Sequence, residues 1–229
     1  MRINRFVAEA SGLSRRAADT AIDAGRVRVN GQTAKLGGQI GADDIIELDG
    51  HLLAPPAAYV YVMLHKPVGY VSSRVRQGDD PTVYQLIPEN LHHLKIAGRL
   101  DRDSSGLILL SDDGSFIHQL THPSEEKTKA YHLTLSKSLT PADQASLASG
   151  VLLADGPSRV HVSHTKGRSV DLAIGEGRNR QLRRTFGALG YDVLALHRSR
   201  IGPYELGSLA PGAWQRFEPT DLHSQPGAS

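Results

Sequence analysis

The hydrophobic pattern at the start of the chain predicts two short helices. Apolar residues recur at helical spacing over 4–10, which indicates the first helix. Ser14 stands where the N-cap of a second helix is expected, the helical run covers 15–24, and Gly25 follows as a C-terminal stop. We therefore expect the chain to begin with a pair of helices.

Strand patterns follow these helices. Arginine and valine alternate over 26–29, the pair Asn30-Gly31 is a strong tight-turn signal, and an apolar run at 44–48 supplies a closing strand. Helices and strands together predict a small unit over residues 1–49. Residues 50–58 contain paired prolines and little charge, which predicts a linker.

A second domain is expected over 59–221, followed by a flexible tail at 222–229. The run 107–110 is apolar and ends in a Ser-Asp-Asp-Gly turn, which predicts a strand buried on both faces. Residues 127–135 alternate with period two, so Tyr131 is expected to point toward the core. Weaker patterns predict helices at 82–87, 115–120 and 141–147 and strands at 59–64, within 151–162, at 170–174 and within 193–202.

One further helix is expected between Asn179, a plausible cap, and Gly190. Leu182, Phe186 and Leu189 recur at helical spacing and form its buried stripe. Arg183 lies beside that stripe. Its charge is therefore not fully solvated, and we expect it to need a partner.

The composition excludes several classes of protein. The chain has no cysteine, so disulfides, thiol catalysis and thiolate metal sites are excluded. The longest apolar run is far shorter than the roughly 18 residues that a membrane-spanning helix needs, and the N-terminus has no apolar signal core. The histidines lack metal-ligand spacing. We expect a soluble, cytoplasmic protein.

Basic residues are clustered, although the net charge is only +2. The first cluster lies near the N-terminus and contains Arg2, Arg5, Arg15, Arg16, Arg26, Arg28 and Lys35. The second lies toward the C-terminus and contains Arg178, Arg180, Arg183, Arg184, Arg198 and Arg200. Two basic patches on a nearly neutral chain indicate two surfaces for one polyanion. The alternative is a pair of solvated faces.

Asp101 occupies an unusual position in the sequence. It lies between Arg99 and Arg102, just before the buried strand at 107–110. A carboxylate at the mouth of a buried strand, with cations on either side, stays ionised while it loses part of its water. Such a group is suited to act as a nucleophile or a base. The alternative is a loop aspartate in a salt bridge or turn cap.

Three motifs and the N-terminal unit resemble a known family. The loop 98–101, Gly-Arg-Leu-Asp, is similar to the signature loop of the RsuA-type ribosomal RNA pseudouridine synthases. Lys-x-Tyr at 129–131 and the segment 176–184 resemble the second and third motifs of that family. The order of elements over 1–49 resembles the S4 RNA-binding domain. The resemblance is to the RsuA/RluB/RluE/RluF group and covers nearly the whole chain.

The resemblance implies an α+β protein. A small S4-like RNA-binding domain would precede a pseudouridine synthase catalytic domain, whose mixed, largely antiparallel sheet is flanked by helices. The implied reaction is the isomerisation of uridine to pseudouridine in ribosomal RNA, with the nucleotide flipped into a pocket and with no cofactor or metal. The expected partner is ribosomal RNA or a ribosome assembly intermediate, and the protein is expected to be a monomer. Similarity of the third motif favours 23S over 16S RNA.

The same resemblance implies roles for individual residues. Asp101 would be essential, and it would attack the ribose C1′, attack the uracil ring or abstract a ribose proton; these alternatives stay open. Arg183 would keep Asp101 ionised, and Tyr131 would stack on the base. The implied substrate-binding residues are Arg99, Lys129, Leu196, Arg178 and Gln181. The first basic cluster would face RNA phosphates. Arg180 stands where many related synthases have His.

A function of another class is also compatible with this sequence. A non-catalytic S4-type RNA-binding or ribosome-assembly factor could keep the synthase fold. Asp101, Tyr131 and Arg183 are all present, and binding alone does not need these three together. Their joint presence therefore favours an enzyme.

Overall fold

The computed structural model describes residues 1–54, 58–76, 78–122 and 127–220. The chain divides into two compact units, Met1–Val60 with Asp112–Gly114, and the remaining residues from Tyr61 onward. The tail expected at 222–229 lies outside the described residues. Within the described ranges, no helix is both long enough and apolar enough to cross a membrane.

The first unit packs two helices on a small antiparallel sheet. Its elements are α1 (Ile3–Ser11), α2 (Arg15–Asp23), β1 (Val27–Val29), β2 (Gln32–Thr33), β3 (Ile46–Leu48) and β4 (His51–Leu53). The strand order is β2-β1-β3-β4. The Ser14 hydroxyl caps α2 by accepting a hydrogen bond from the main-chain N–H of Ala17 at 3.1 Å. The predicted turn at Asn30-Gly31 is confirmed, with both residues at positive φ.

Part of the segment expected to be a linker, 50–58, is a strand. His51–Leu53 forms β4 and pairs with β3, because Asp49 and Gly50 both adopt positive φ and turn the chain back on itself. Leu53 packs against the apolar core of this unit. Because this strand is only three residues long, its pattern in the sequence was weaker than the linker signal of the prolines that follow it. The prolines themselves lie outside the described residues.

The second unit is built around one large sheet. Its strands are β5 (Tyr61–Lys66), β6 (Lys95–Ala97), β7 (Ser105–Ser111), β8 (Lys129–Leu135), β9 (Val151–Leu153), β10 (Gly156–Ser158), β11 (His161–Lys166), β12 (Ser169–Ile174), β13 (Val193–Ile201), β14 (Tyr204–Glu205) and β15 (Trp214–Arg216). Its helices are α3 (Gly114–Thr121), α4 (Pro141–Ser149) and α5 (Gln181–Ala188), with 3-10 turns at Val83–Leu86 and Glu89–Leu91.

The sheet is mixed and largely antiparallel, as predicted. Its strand order is β11-β12-β8-β13-β7-β5-β15, with β14 beside β13 and β6 beside β7, while β9 and β10 form a separate hairpin. The pair β7–β13 is parallel. The helices complete the α+β architecture. Leu107 and Leu109 of β7 pack into a core with Phe116 of α3, so the buried strand expected at 107–110 is confirmed.

The parallel pair depends on a glycine at the start of β7. Gly106 has φ +117, and a Cβ atom added there would lie 2.2 Å from the main-chain oxygen of Arg198 on β13. Only a residue without a side chain permits this approach. The loop that carries Asp101 therefore lies directly beside β13.

The helix expected after an Asn179 cap begins one residue later than predicted, at Gln181. The Gln181 N–H donates to the main-chain oxygen of Arg178 at 3.2 Å, which closes a turn. Arg180 takes the N-cap position in the left-handed region, with φ 44 and ψ 32. Leu182 and Phe186 are buried as predicted. The sequence favoured Asn179 as the N-cap because asparagine caps helices well. In the structure, the turn closed between Arg178 and Gln181 determines where the helix begins.

Candidate active site

The three motifs meet at one cavity of the second unit, with a volume of about 860 Å³. The loop 98–104 between β6 and β7, one face of β8, the segment before α5 and part of β13 line it. All eight residues predicted from sequence to act in catalysis or substrate binding contribute to this lining: Asp101, Tyr131, Arg183, Arg99, Lys129, Leu196, Arg178 and Gln181. Their individual roles stay predictions.

A buried lysine holds the loop that carries Asp101. Lys66, at the end of β5, is fully buried. Its ammonium donates hydrogen bonds to the main-chain oxygens of Asp101 at 2.9 Å, Ser104 at 2.5 Å and Pro67 at 3.1 Å. Burial lowers the pKa of Lys66 to about 8, although the charges of Asp103 and Asp101 act in the opposite direction. One side chain thus ties the second half of the loop to β5.

A second buried cation supports the same loop from β13. The guanidinium of Arg198 is buried and donates twice to the main-chain oxygen of Leu107, at 2.9 and 2.8 Å. It also donates to the main-chain oxygen of Arg99 at 3.4 Å. Lys66 and Arg198 together place positive charge next to the loop that carries Asp101 and Asp103.

One wall of the cavity is apolar. Tyr131, on β8, points inward as predicted and is 7% exposed, and Leu196 on β13 is 8% exposed. A flat aromatic ring beside an aliphatic side chain suits a planar base. The stacking role of Tyr131 and the pocket role of Leu196 stay predictions.

The expected pairing of Arg183 with Asp101 is wrong in this structure. Arg183 donates to the main-chain oxygens of Val193 at 2.7 Å and Asp103 at 2.9 Å, and its Nε lies 3.3 Å from the Asp103 carboxylate. The cation nearest to the Asp101 carboxylate in the described ion pairs is Arg180, at 3.5 Å. The Arg183 side chain reaches from α5 to β13 and is 14% exposed, whereas the Arg180 side chain is 46% exposed.

Asp103 is the most strongly engaged carboxylate at the cavity mouth. It accepts two hydrogen bonds from Arg180, at 3.2 and 3.1 Å. Burial alone would raise the pKa of Asp103, but the hydrogen bonds from Arg180 and the charge of Arg183 hold it below its ordinary value. Asp103 is therefore the shared anion of two arginines from the third motif.

Two predicted substrate-binding residues have structural partners. Arg178 donates to the Asp155 carboxylate at 2.8 Å and to the main-chain oxygen of Pro157 at 2.8 Å. Gln181 donates to the hydroxyl of Ser158 at 2.9 Å. These contacts hold the β9–β10 hairpin against the start of α5. Contact of either residue with a substrate stays a prediction.

The cavity is strongly basic. Its cationic lining consists of Arg99, Lys127, Lys129, Arg159, Arg178, Arg180, Arg183 and Arg198. The carboxylates in the lining are Asp101 and Glu176. Burial, with the charge of Arg198, lowers the pKa of Lys129. An excess of cations around a recess attracts a polyanion.

The N-terminal basic residues differ in how their charges are compensated. Arg26 makes a two-pronged pair with Asp49, at 2.8 and 2.5 Å, and Arg5 pairs with Glu9 at 2.8 Å. The other predicted RNA-binding residues are all exposed: Arg2, Arg15, Arg16, Arg28 and Lys35. Their contact with RNA stays a prediction.

Sequence reasoning missed Lys66 and Asp103 as residues of the site, and it named Arg180 and Arg198 only as members of the second basic cluster. Lys66 ends an apolar strand, so the argument applied to Asp101 would also have singled it out. Asp103 lies only two positions beyond Asp101. The position of Arg180 offered no signal, because its role depends on the unexpected turn before α5.

Comparisons with known proteins agree with these observations. A family model described as RNA pseudouridylate synthase matches residues 60–188, and an S4 domain model matches residues 1–46. A protein of Pasteurella multocida called ribosomal small subunit pseudouridine synthase A is 38% identical over 97% of this chain and 98% of its own length. One of the same name from Salmonella typhimurium is 36% identical over 98% and 99%. A crystal structure of a pseudouridylate synthase is 38% identical, with a TM-score of 0.69, and covers 95% of this chain and 96% of its own.

Proposed function

Because the chain belongs to the RNA pseudouridylate synthase family, we propose that it converts uridine to pseudouridine in the RNA of the small ribosomal subunit. The observation that carries this proposal is the position of Asp101. Its carboxylate lies at a basic cavity that also presents the apolar side chains of Tyr131 and Leu196. Such a cavity offers a charged oxygen, a flat apolar wall and cations for phosphate within one recess.

The choice of the small subunit replaces the preference for 23S RNA drawn from the third motif. Relatives that align over nearly their whole length carry the name ribosomal small subunit pseudouridine synthase A. The similarity that favoured 23S RNA involves one segment, whereas these relatives match along the chain.

The proposed chemistry needs no external reactant. The bond between ribose C1′ and uracil N1 breaks, the ring turns, and C1′ joins the ring carbon C5; the proton lost from C5 is balanced by one gained at N1. The uridine must leave the RNA stack to reach Asp101, because the carboxylate lies at a recess. Lys66 and Arg198 hold the Asp101 loop during this rearrangement, and Asp101 acts on the ribose or on the ring.

The N-terminal unit supports recognition of structured RNA. Its arginines on α2 and β1 are exposed, and guanidinium groups bind phosphates by parallel hydrogen bonds. Such contacts position the RNA and carry little sequence information. Selection of one uridine then depends on the RNA shape and on the cavity.

The proposed function is tested by single-turnover pseudouridine formation with excess enzyme. Small- and large-subunit RNA transcripts and partly assembled subunits serve as substrates, beside a binding titration and a melting curve. Asp101→Asn should fold and bind RNA as the wild type does, whereas isomerisation should fall below detection, since an amide is a poor nucleophile and base. Asp192→Asn, an exposed aspartate outside the cavity lining, is the matched control and should retain activity.

Substantial turnover by well-folded Asp101→Asn would contradict the mechanism. Modification of large-subunit RNA alone would contradict the choice of substrate. RNA binding without any pseudouridine formation by the wild type would identify a binding factor instead of an enzyme.

A further inference from the structure

Arg180 links two carboxylates at the mouth of the cavity. Its guanidinium pairs with both oxygens of Asp103, at 3.2 and 3.1 Å, and one of its nitrogens lies 3.5 Å from the carboxylate of Asp101. The pKa of Arg180 is raised, chiefly by the hydrogen bonds to Asp103. The shorter contacts therefore anchor the guanidinium on Asp103 and leave it facing Asp101.

Arg180 and Arg183 are held by different kinds of partner. Arg183 is fixed by main-chain oxygens of Val193 and Asp103, which persist when a side chain of the loop is changed. Within the described part of the chain, the Arg180 guanidinium is held by carboxylates alone. Removing the Asp103 carboxylate would thus release Arg180 while Arg183 keeps its main-chain anchors.

The backbone at Arg180 is consistent with this anchoring. A residue with a side chain seldom adopts the left-handed region, yet Arg180 has φ 44. Such a conformation persists where surrounding contacts hold it. The paired hydrogen bonds to Asp103 are one such set of contacts.

We propose that Asp103 and Arg180 form a positioning pair, in which Asp103 holds the Arg180 guanidinium against Asp101 and so keeps the Asp101 carboxylate ionised and oriented for reaction. This inference rests on the proposed function for its catalytic consequence. It assigns the direct electrostatic contact with Asp101 to Arg180 and gives Asp103 a role that acts through Arg180. Arg180 and Asp103 are positioning residues, since neither needs to touch the uridine.

The alternative role for an arginine at a cavity mouth is phosphate binding. The two roles have different kinetic signatures. A phosphate ligand contributes to RNA affinity and to its salt dependence, whereas a positioning residue changes kcat and the pH profile. The experiment therefore measures both sets of quantities.

The full-length variants are Arg180→Ala, Arg180→Lys, Asp103→Asn and the double variant Asp103→Asn/Arg180→Ala. Asp80→Asn is the matched control, because Asp80 pairs with Arg102 of the same loop at 2.8 Å. Single-turnover rates are measured as a function of pH, and RNA affinity as a function of salt. The same proteins, without RNA, are labelled with ¹³C at aspartate carboxyls, and the Asp101 signal is followed against pH.

Arg180→Ala should lower the single-turnover rate roughly threefold to tenfold and move the acidic limb of the profile upward by about half a pH unit, because a half-exposed ion contact is partly screened. Arg180→Lys should recover part of both effects through its point charge. Asp103→Asn should change the rate and the acidic limb in the same direction as Arg180→Ala. The double variant should lose no more single-turnover rate than Arg180→Ala alone. Asp80→Asn should resemble the wild type.

Three outcomes of the kinetic and binding measurements would overturn the pair. One is a loss of single-turnover rate in the double variant that equals the sum of the losses in the two single variants. Another is a downward shift of the acidic limb of the pH–rate profile in Asp103→Asn. The third is an unchanged rate in Arg180→Ala with weaker RNA binding and a smaller salt slope, which would make Arg180 a phosphate ligand. If the wild type forms no pseudouridine, the proposed function fails, and the RNA-free titration still decides the pair: an upward shift of the Asp101 signal in Arg180→Ala supports it, and an unchanged titration overturns it.

Discussion

The ammonium of Lys66 donates a hydrogen bond to the main-chain oxygen of Asp101 at 2.9 Å from a fully buried position. This contact couples the stability of the loop to the protonation of a core lysine. The loop carries Asp101 and is held by Lys66, so the stability of this segment bears directly on the proposed chemistry.

Lys66 should make stability depend on pH in the alkaline range. Burial lowers its pKa from 10.5 to about 8, so between these values the unfolded chain binds more protons than the folded protein. The free energy of unfolding should therefore rise with pH across this window, by about 3 kcal/mol from this group. Urea unfolding of the wild type and Lys66→Met at about pH 7 and about pH 10 measures the difference.

The matched control for that experiment is Lys95→Met, since Lys95 is exposed on β6. Its pH dependence should equal that of the wild type. If Lys66→Met also shows the wild-type pH dependence, the lowered pKa of Lys66 is contradicted.

Gly106→Ala should disrupt the β7–β13 pair. The new methyl group would meet the main-chain oxygen of Arg198 at 2.2 Å, and φ +117 adds strain. We expect a loss of about 3 kcal/mol or more in the free energy of unfolding. Gly202→Ala is the control, because Gly202 also has positive φ but no atom near the added Cβ, and it should lose only about 1–2 kcal/mol. Equal losses of stability in the two variants would show that the contact between the added methyl group and Arg198 does not itself destabilise the protein.

Arg183→Ala should destabilise the protein and reduce activity together. The main-chain oxygens of Val193 and Asp103 lose their donor, which should lower the free energy of unfolding by about 1–3 kcal/mol. Arg183→Lys should retain part of the stability. Arg184→Ala removes a more exposed pair with Asp155 and should lower the free energy of unfolding less than Arg183→Ala does. Denaturant titrations and single-turnover rates provide the measurement, and wild-type stability of Arg183→Ala would refute this structural role.

Arg15 and Arg16 should contribute to the salt dependence of RNA binding. Both are exposed at the start of α2. Replacing both with Gln should reduce the log–log salt slope by about 0.7–0.9 for each phosphate that the protein then no longer neutralises. Arg26→Gln is the comparison and should change the slope less, because Asp49 already compensates that charge. An unchanged slope in the Arg15/Arg16 variant would remove these arginines from the RNA interface.

The sequence alone was sufficient for the local features. Period-two alternation predicted β8 with Tyr131 facing inward, and an uninterrupted apolar run predicted the core of β7; both are confirmed. Ser14 and Asn30-Gly31 were found because a cap and a tight turn depend on a few neighbouring residues. The motifs also identified residues that meet at one cavity, since each motif occupies one short segment.

Tertiary structure alone decided which charges meet. Arg180 takes a left-handed conformation just before α5, outside the regular helical geometry in which successive residues differ by about 100° in direction. Arg180 consequently reaches Asp103 and Asp101, and Arg183 reaches the main chain of β13. Lys66 is separated from Asp101 by 35 positions, and no local pattern reports such a contact. Sequence thus determined which groups are available for chemistry, and packing determined their partners, because an ion pair depends on distances between segments that are remote in the chain.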